Sequence, residues 1–268
     1  MLKDITLGQF FPGSSFIHRL DPRTKLIMLV VYIVALFLAV SWISYSVVLL
    51  FLVLSVVVSK IPLKNLARGM KPLLIILIFT ALLNLFLSPG ETVWLSVWKI
   101  TITKEGVVRA VLMVARILML VSGTFLLTYT TSPIALTDGL ESLLSPLKRI
   151  KLPVHELSMM MCIALRFIPT LIEETDKIMS AQKARGADFE NGNILKRVKA
   201  LVPILIPLFI SAFRRADELA TAMECRCYHG GEGRTKMKLL RYSRLDVETF
   251  AIGAVLLGGV ITLVCFGL

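Results

Sequence analysis

Two short triplets hold the side chains best suited to specific recognition: Ala184-Arg185-Gly186 and Cys225-Arg226-Cys227. A guanidinium offers five N–H donors in a rigid planar fork, so an Arg on a protruding tip can satisfy carboxylates and carbonyls in a receiving groove where Lys could not. The triplets belong to a repeat. Asp176, Ile178, Ser180, Ala181 and Arg185 match Asp217, Leu219, Thr221, Ala222 and Arg226 at a constant offset of 41 residues. A single Arg in the last turn of a helix merely complements the helix dipole. A matched pair inside a repeat instead suits two similar partners. Within the repeat Glu173-Glu174 falls opposite Arg214-Arg215. Either the two sites fit related but unlike partners, or these charges pair where two helices cross.

Other residues could also do chemistry. Cys225, Cys227 and His229 stand beside Glu224, but structural zinc takes four ligands and only three plausible ones occur here. Cys162 and Cys265 lie in apolar surroundings and read as packing residues. No G-x-x-x-x-G-K-[ST] occurs, so the chain has no phosphate-cradling loop of its own, and neither G-x-S-x-G nor H-E-x-x-H is present. The expectation is a non-catalytic chain without metal or cofactor of its own. A membrane enzyme built on the cysteine cluster and a passive scaffold for cytosolic proteins are the competing classes. Arg109 and Arg116 lie seven residues apart in an apolar stretch, hence on one helix face. Charge inside a membrane is costly and is by default functional. Arg109 can snorkel or pair with Glu105. Arg116 either bonds backbone carbonyls or Asn84 within the bundle, or meets a partner membrane protein.

The elements that position these residues follow from composition. The chain has 268 residues, 56 % hydrophobic and 18 % charged, with a net charge of +12. That is too apolar for a water-soluble enzyme and too charged for a protein made only of membrane spans, so its charges must be segregated. The 34 residues Leu26–Ser59 carry no charge; as one helix they would reach about 50 Å against a hydrocarbon core of about 30 Å. Ser41-Trp42-Ile43-Ser44-Tyr45-Ser46 supplies the break, giving spans Leu26–Val40 and Ile43–Ser59. Asp21-Pro22 signals the helix start, Asp as N-cap and Pro at the first helical position. A third span is expected at Pro72–Leu87, ended by Ser88-Pro89-Gly90. Glu91–Gly106 reads as a loop or short amphipathic piece with Trp94 and Trp98. A fourth span runs from about Val107 to Thr130, and a fifth near Val247–Phe266. No cleaved signal peptide is expected.

Basic residues favour the cytoplasmic side. Lys3, Arg19, Arg23 and Lys25 precede the first span, and Lys60, Lys64, Arg68 and Lys71 follow the second; only Lys99 and Lys104 follow the third. The expected topology is a multi-pass cell-membrane protein with a cytoplasmic N-terminus and five spans. The positive charge then reflects the lipid bilayer rather than nucleic acid. Three regions result: a transmembrane domain at 1–130, a cytoplasmic coupling domain at 131–244, and a C-terminal transmembrane helix at 245–268.

In the coupling region apolar residues recur at alternating steps of four and three. One stripe is Leu157, Met161, Ala164, Ile168, Leu171, Thr175 and Ile178; the other is Leu195, Val198, Val202, Leu205, Phe209, Ala212, Ala216, Leu219 and Met223. Such spacing is the seam of two packed helices, each about 45 Å long. The link Asp188–Asn193 is short, so the helices run back on each other and their C-terminal tips, with Arg185 and Arg226, point apart. The fold class is all-α: a polytopic helical membrane protein with a cytoplasmic pair of long crossed amphipathic helices.

These residues resemble the transmembrane (T) component of energy-coupling factor (ECF) transporters, the EcfT/CbiQ family, over nearly the whole length. The resemblance rests on Gly8-Gln9-Phe10-Phe11-Pro12-Gly13-Ser14-Ser15, on His18-Arg19-Leu20-Asp21-Pro22-Arg23-Thr24-Lys25, on Arg166-Phe167-Ile168-Pro169 and on Ala181-Gln182-Lys183-Ala184-Arg185-Gly186. Ala222-Met223-Glu224 and Gly230-Gly231-Glu232-Gly233-Arg234-Thr235 extend it. It implies an ATP-driven importer of vitamins or other micronutrients. The two triplets would dock into two ATP-binding cassette ATPase subunits, which carry ATP and Mg, and a membrane-embedded substrate-binding S component would complete the complex. Docking residues would be Ala184, Arg185, Gly186, Cys225, Arg226 and Cys227. Cys225 and Cys227 depart from the family's commoner Ala and Gly.

Overall fold

A computed structural model describes residues 10–87, 93–97, 100–151, 153–187, 189, 194–231 and 239–266. Lys3, Gly8-Gln9, Ser88-Pro89-Gly90, Trp98-Lys99, most of the link Asp188–Asn193, and Glu232-Gly233-Arg234-Thr235 lie outside the described residues. The chain packs as two units, Gly8–Gly139 with Leu240–Leu268, and Leu140–Leu239.

The first unit opens with a short helix α1 (Phe16–Arg19) and then α2 (Pro22–Leu38). Asp21 caps α2 by accepting from the Arg23 amide at 2.9 Å, with Pro22 at the first helical position. The helix stops at Leu38, and Ser41 caps α3 (Trp42–Ser59) through the Ser44 amide, which is the expected break in the long apolar run. The basic stretch after α3 forms an amphipathic helix, α4 (Leu63–Met70). A turn of 3₁₀ helix at Lys71–Leu73, where Pro72 lacks an amide donor, leads into α5 (Leu74–Leu87).

Glu91–Gly106, expected as a loop or amphipathic piece, contains a two-stranded antiparallel hairpin. Strand β1 (Val93–Val97) pairs with β2 (Ile100–Thr103), Leu95 opposite Ile102. Its β-branched and aromatic residues are the strand signal that a membrane-oriented reading passes over. Thr103 then caps α6 (Lys104–Thr130) through the Gly106 amide. After α7 (Pro133–Leu144), a 3₁₀ segment at Ser145–Ile150 leads to α8 (Val154–Ala184) and α9 (Ile194–Glu224), and α10 (Arg244–Cys265) closes the described chain.

Among the described residues five stretches are long and apolar enough to cross a membrane: Trp42–Ser59, Leu63–Phe86, Lys104–Thr130, Val154–Ala184 and Arg244–Cys265. The set differs from the expected one. α2 has 17 residues, about 26 Å of helix. Val154–Ala184 qualifies, at the lowest mean hydropathy of the five, 1.3, because Glu156 and Arg166 are the only Asp, Glu, Lys or Arg in its apolar first half. The protein is an all-α polytopic membrane protein with one small hairpin.

The core of the first unit is built by α2, α3, α6 and α10 around Tyr32, Leu36, Tyr45, Val48, Leu52, Met119, Leu256 and Val260. Several polar groups within it are spent internally, although the Arg116 Nε is buried without a partner among the described residues. The Tyr32 hydroxyl donates to the Met119 carbonyl at 2.9 Å, and Gly123 admits the ring, since a Cβ there would meet Tyr32 at 2.6 Å. Two cations act as reciprocal caps. Lys25, at the start of α2, donates to the Thr130 carbonyl at the end of α6 at 2.9 Å. Arg116, on α6, donates to the carbonyl of Ala39 just past α2 at 3.0 Å, its guanidinium lying 5.5 Å from the Tyr45 ring. Each cation meets the negative end of the other helix's dipole. Of the partners open to Arg116, the structure supplies a backbone carbonyl. Arg109 is exposed.

Candidate docking tips on the paired helices

α8 and α9, 31 residues each, pack on each other in the second unit. Glu174 accepts from Ser211 and, at 2.6 Å, from Arg215. Gln182 donates to the Pro203 carbonyl at 3.3 Å. Partners step back along α9 as they step forward along α8, so the pair is antiparallel. Gln182 also completes a backbone bond: Pro207 has no amide hydrogen for the carbonyl four residues earlier, which is Pro203, and the side-chain amide takes its place. Of the two explanations for Glu173-Glu174 opposite Arg214-Arg215, the Glu174–Arg215 contact fits charge pairing where the helices meet.

The expected seam holds in the C-terminal half of α8 and, on α9, at Ala212, Leu219 and Met223 but not at the exposed Ala216; the side chains of Leu195 and Val198 lie outside the described residues. Ile168, Leu171, Thr175 and Ile178 of α8 are half-buried, but Leu157, Met161 and Ala164 are exposed. On α9 the packed residues are Ile204, Leu208, Ser211, Ala212 and Arg215, whereas Val202, Leu205 and Phe209 of the predicted stripe face outward, Phe209 at 62 % exposure. Both helices are apolar on more than one face in these halves. Three-four spacing therefore marks an apolar stripe without choosing which stripe packs.

The two helix ends close with the same pair of backbone bonds. At the end of α8 the Gly186 amide donates to the Lys183 carbonyl and the Ala187 amide to the Gln182 carbonyl, both at 3.0 Å. At the end of α9 the Cys227 amide donates to Glu224 at 2.8 Å and the Tyr228 amide to Met223 at 3.1 Å. These pairs of bonds are the two closures of a Schellman cap, and every donor and acceptor in one is displaced by 41 residues from its counterpart in the other. The motif needs a left-handed residue after the helix. Gly186 adopts φ 88°, and Cys227 adopts φ 56° in the equivalent position. The end of α9 therefore closes at Cys227, before Gly230-Gly231 is reached. With Cys225 and Cys227 the α9 tip makes the same closing bonds as the Ala184-Arg185-Gly186 tip.

All six residues of the triplets, Ala184, Arg185, Gly186, Cys225, Arg226 and Cys227, are exposed. Neither Arg185 nor Arg226 has a side-chain partner among the described residues. Each lies eleven residues beyond the Glu174–Arg215 contact, about 16 Å along its own helix, and on opposite sides of it. Cys225 and Cys227 are free thiols. Among the described residues no three His, Cys, Asp or Glu side chains gather as a metal-holding group. Nothing in the sequence marked Gln182 or Ser211 as contacts, and only the offset of 41 would have flagged Cys227 as left-handed.

Known proteins resemble the chain over nearly its whole length. The family described as cobalt transport protein, CbiQ, matches residues 13–237. The chain is 58 % identical over 250 residues, 93 % of its length and 92 % of the other's, to an energy-coupling factor transporter transmembrane protein EcfT of Acidaminococcus fermentans. It is 53 % identical over 261 residues, 97 % of both chains, to that of Ruminiclostridium cellulolyticum. Identity to that of Lactococcus lactis subsp. cremoris is 45 % over 245 residues, 91 % of this chain and 92 % of the relative. The chain belongs to the CbiQ/EcfT family, the transmembrane proteins of energy-coupling factor transporters.

Proposed function

We propose that this chain is the coupling subunit of an ATP-driven importer for vitamins or other micronutrients. Two ATP-binding cassette ATPase subunits each receive one Arg-bearing tip, and they carry the ATP and Mg. The chain's own role is mechanical: when the ATPases close, the tips at Arg185 and Arg226 are carried with them, α8 slides against α9, and a membrane-embedded S component is reoriented. In this reading 131–244 is a cytoplasmic coupling domain, α8 included, and the N-terminus is cytoplasmic. The basic residues face that side of the lipid bilayer, and no nucleic acid is involved.

One observation carries the proposal. Two exposed Arg residues sit on helix caps that close with the same pair of backbone bonds and lie equidistant from the contact between their helices. A structural cap needs no such duplication; two alike receiving grooves do. The ATP-driven cycle and tip docking are then linked equilibria, so each tip affects both ATP turnover and transport. Arg185→Glu and Arg226→Glu variants, purified with all partner subunits co-expressed, are each expected to insert in the membrane and to lose one ATPase. Retention of both ATPases by both variants would refute the docking role. An ATPase assay with and without this subunit separates coupling from passive anchoring, which predicts no change.

A further inference from the structure

A cleft of about 260 Å³ opens in the first unit between α1, α2, α3, α6 and α10. Its rim includes Leu54, Val58 and Ile252, all exposed, and its floor includes Met28, Leu52 and Gly123, all buried. The hydroxyl side chains lining it have their hydrogens committed elsewhere. The hydroxyls of Tyr32, Ser55, Thr130 and Thr249 donate to the carbonyls of Met119, Phe51, Leu126 and Leu245 at 2.7–2.9 Å. A cleft that offers no hydroxyl donor holds water poorly and suits an apolar occupant. In a membrane-spanning bundle that occupant is a lipid acyl chain.

One end of the cleft is different. Lys25 lines it, 7 % exposed. An ammonium has three donors, and Lys25 uses two, on the Thr130 carbonyl at 2.9 Å and the His18 carbonyl at 3.4 Å. Phe16 and Ile17 of α1 and Leu20 just after it close the same end, and Arg19 on that turn is exposed with no partner among the described residues. The first turn of α2 and the last of α6 meet here, so the cations stand at the end of the helices, the depth of a headgroup. Lys and Arg at that depth attract anionic lipid. We infer that the cleft binds one acyl chain of an anionic glycerophospholipid, with its phosphate at Lys25 and Arg19. This inference is independent of ATPase docking.

The test is native mass spectrometry of the full chain released from nanodiscs of phosphatidylcholine containing one-fifth phosphatidylglycerol. Retained phosphatidylglycerol above its share of the bilayer supports the site. Ser55→Phe and Val58→Trp, which fill the cleft from α3, are expected to abolish retention with the helical circular dichroism unchanged. Arg19→Glu should weaken it about fivefold or more. Lys25→Met also removes the α6 cap, so Arg19→Glu is the cleaner probe of the headgroup. Equal retention of both lipids, or undiminished phosphatidylglycerol in the filled variants, would overturn the inference. Retention of added oleate in place of phospholipid would overturn the phosphate assignment.

Discussion

Cys227 holds the left-handed position that Gly186 holds in the twin cap. A side chain there crowds the following carbonyl, and a glycine does not. Cys227→Gly should therefore stabilise the end of α9 by about 1 kcal/mol, and Gly186→Ala should destabilise the end of α8 by a similar amount. Hydrogen exchange of the Tyr228 and Ala187 amides, which close the two caps, reads both effects locally. Equal protection before and after substitution would show that the caps are not strained as described. Gly123 illustrates a different constraint, close approach rather than dihedral angle. With a Cβ 2.6 Å from the Tyr32 ring, Gly123→Ala should cost about 1–3 kcal/mol through overpacking, visible as a lower unfolding temperature in detergent.

Among elements, the pairing of α8 with α9 rests on a few polar contacts between helices whose apolar stripes are only partly engaged. Pro207→Ala restores the amide that the Pro203 carbonyl lacks, so the Gln182 side chain becomes redundant. Gln182→Ala is expected to cost about 0.5–1 kcal/mol in the natural chain and close to nothing in the Pro207→Ala background. Additive effects would mean that Gln182 does not substitute for the missing backbone bond. Glu174 and Arg215 remain partly solvated, with 22 % and 29 % of their side chains exposed, so their coupling in a double-mutant cycle should stay at about 1 kcal/mol or below and weaken with salt. The hairpin of β1 and β2 shows how a short alternating segment beside long apolar helices is easily read as a loop.

For the whole molecule, the orientation is the property on which the functional reading depends. With Cys162 and Cys265 replaced by Ser, a membrane-impermeant maleimide is expected to label Cys225 and Cys227 in inverted vesicles and not in intact cells. A Ser41→Cys probe between α2 and α3, in a chain otherwise free of cysteine, should show the opposite pattern. Labelling of the α9 tip from outside the cell would exclude contact with cytosolic ATPases altogether.

The sequence alone determined the membrane class, the break at Ser41, the Asp21 cap, the two long helices, and the repeat that singles out Arg185 and Arg226. All of these follow from local rules: charge segregation, capping chemistry and helical period act over a few residues and leave their mark in neighbouring positions. Only the tertiary structure decided that Arg116 and Lys25 cap each other's helices, that Glu174 meets Arg215, and that Ile204 rather than Val202 faces α8. Those outcomes depend on which of several comparable apolar or charged neighbours comes within reach, and that is set by the relative rotation of helices far apart in the chain. The identical closure of the two tips needed both, since the repeat suggested it and the backbone hydrogen bonds established it.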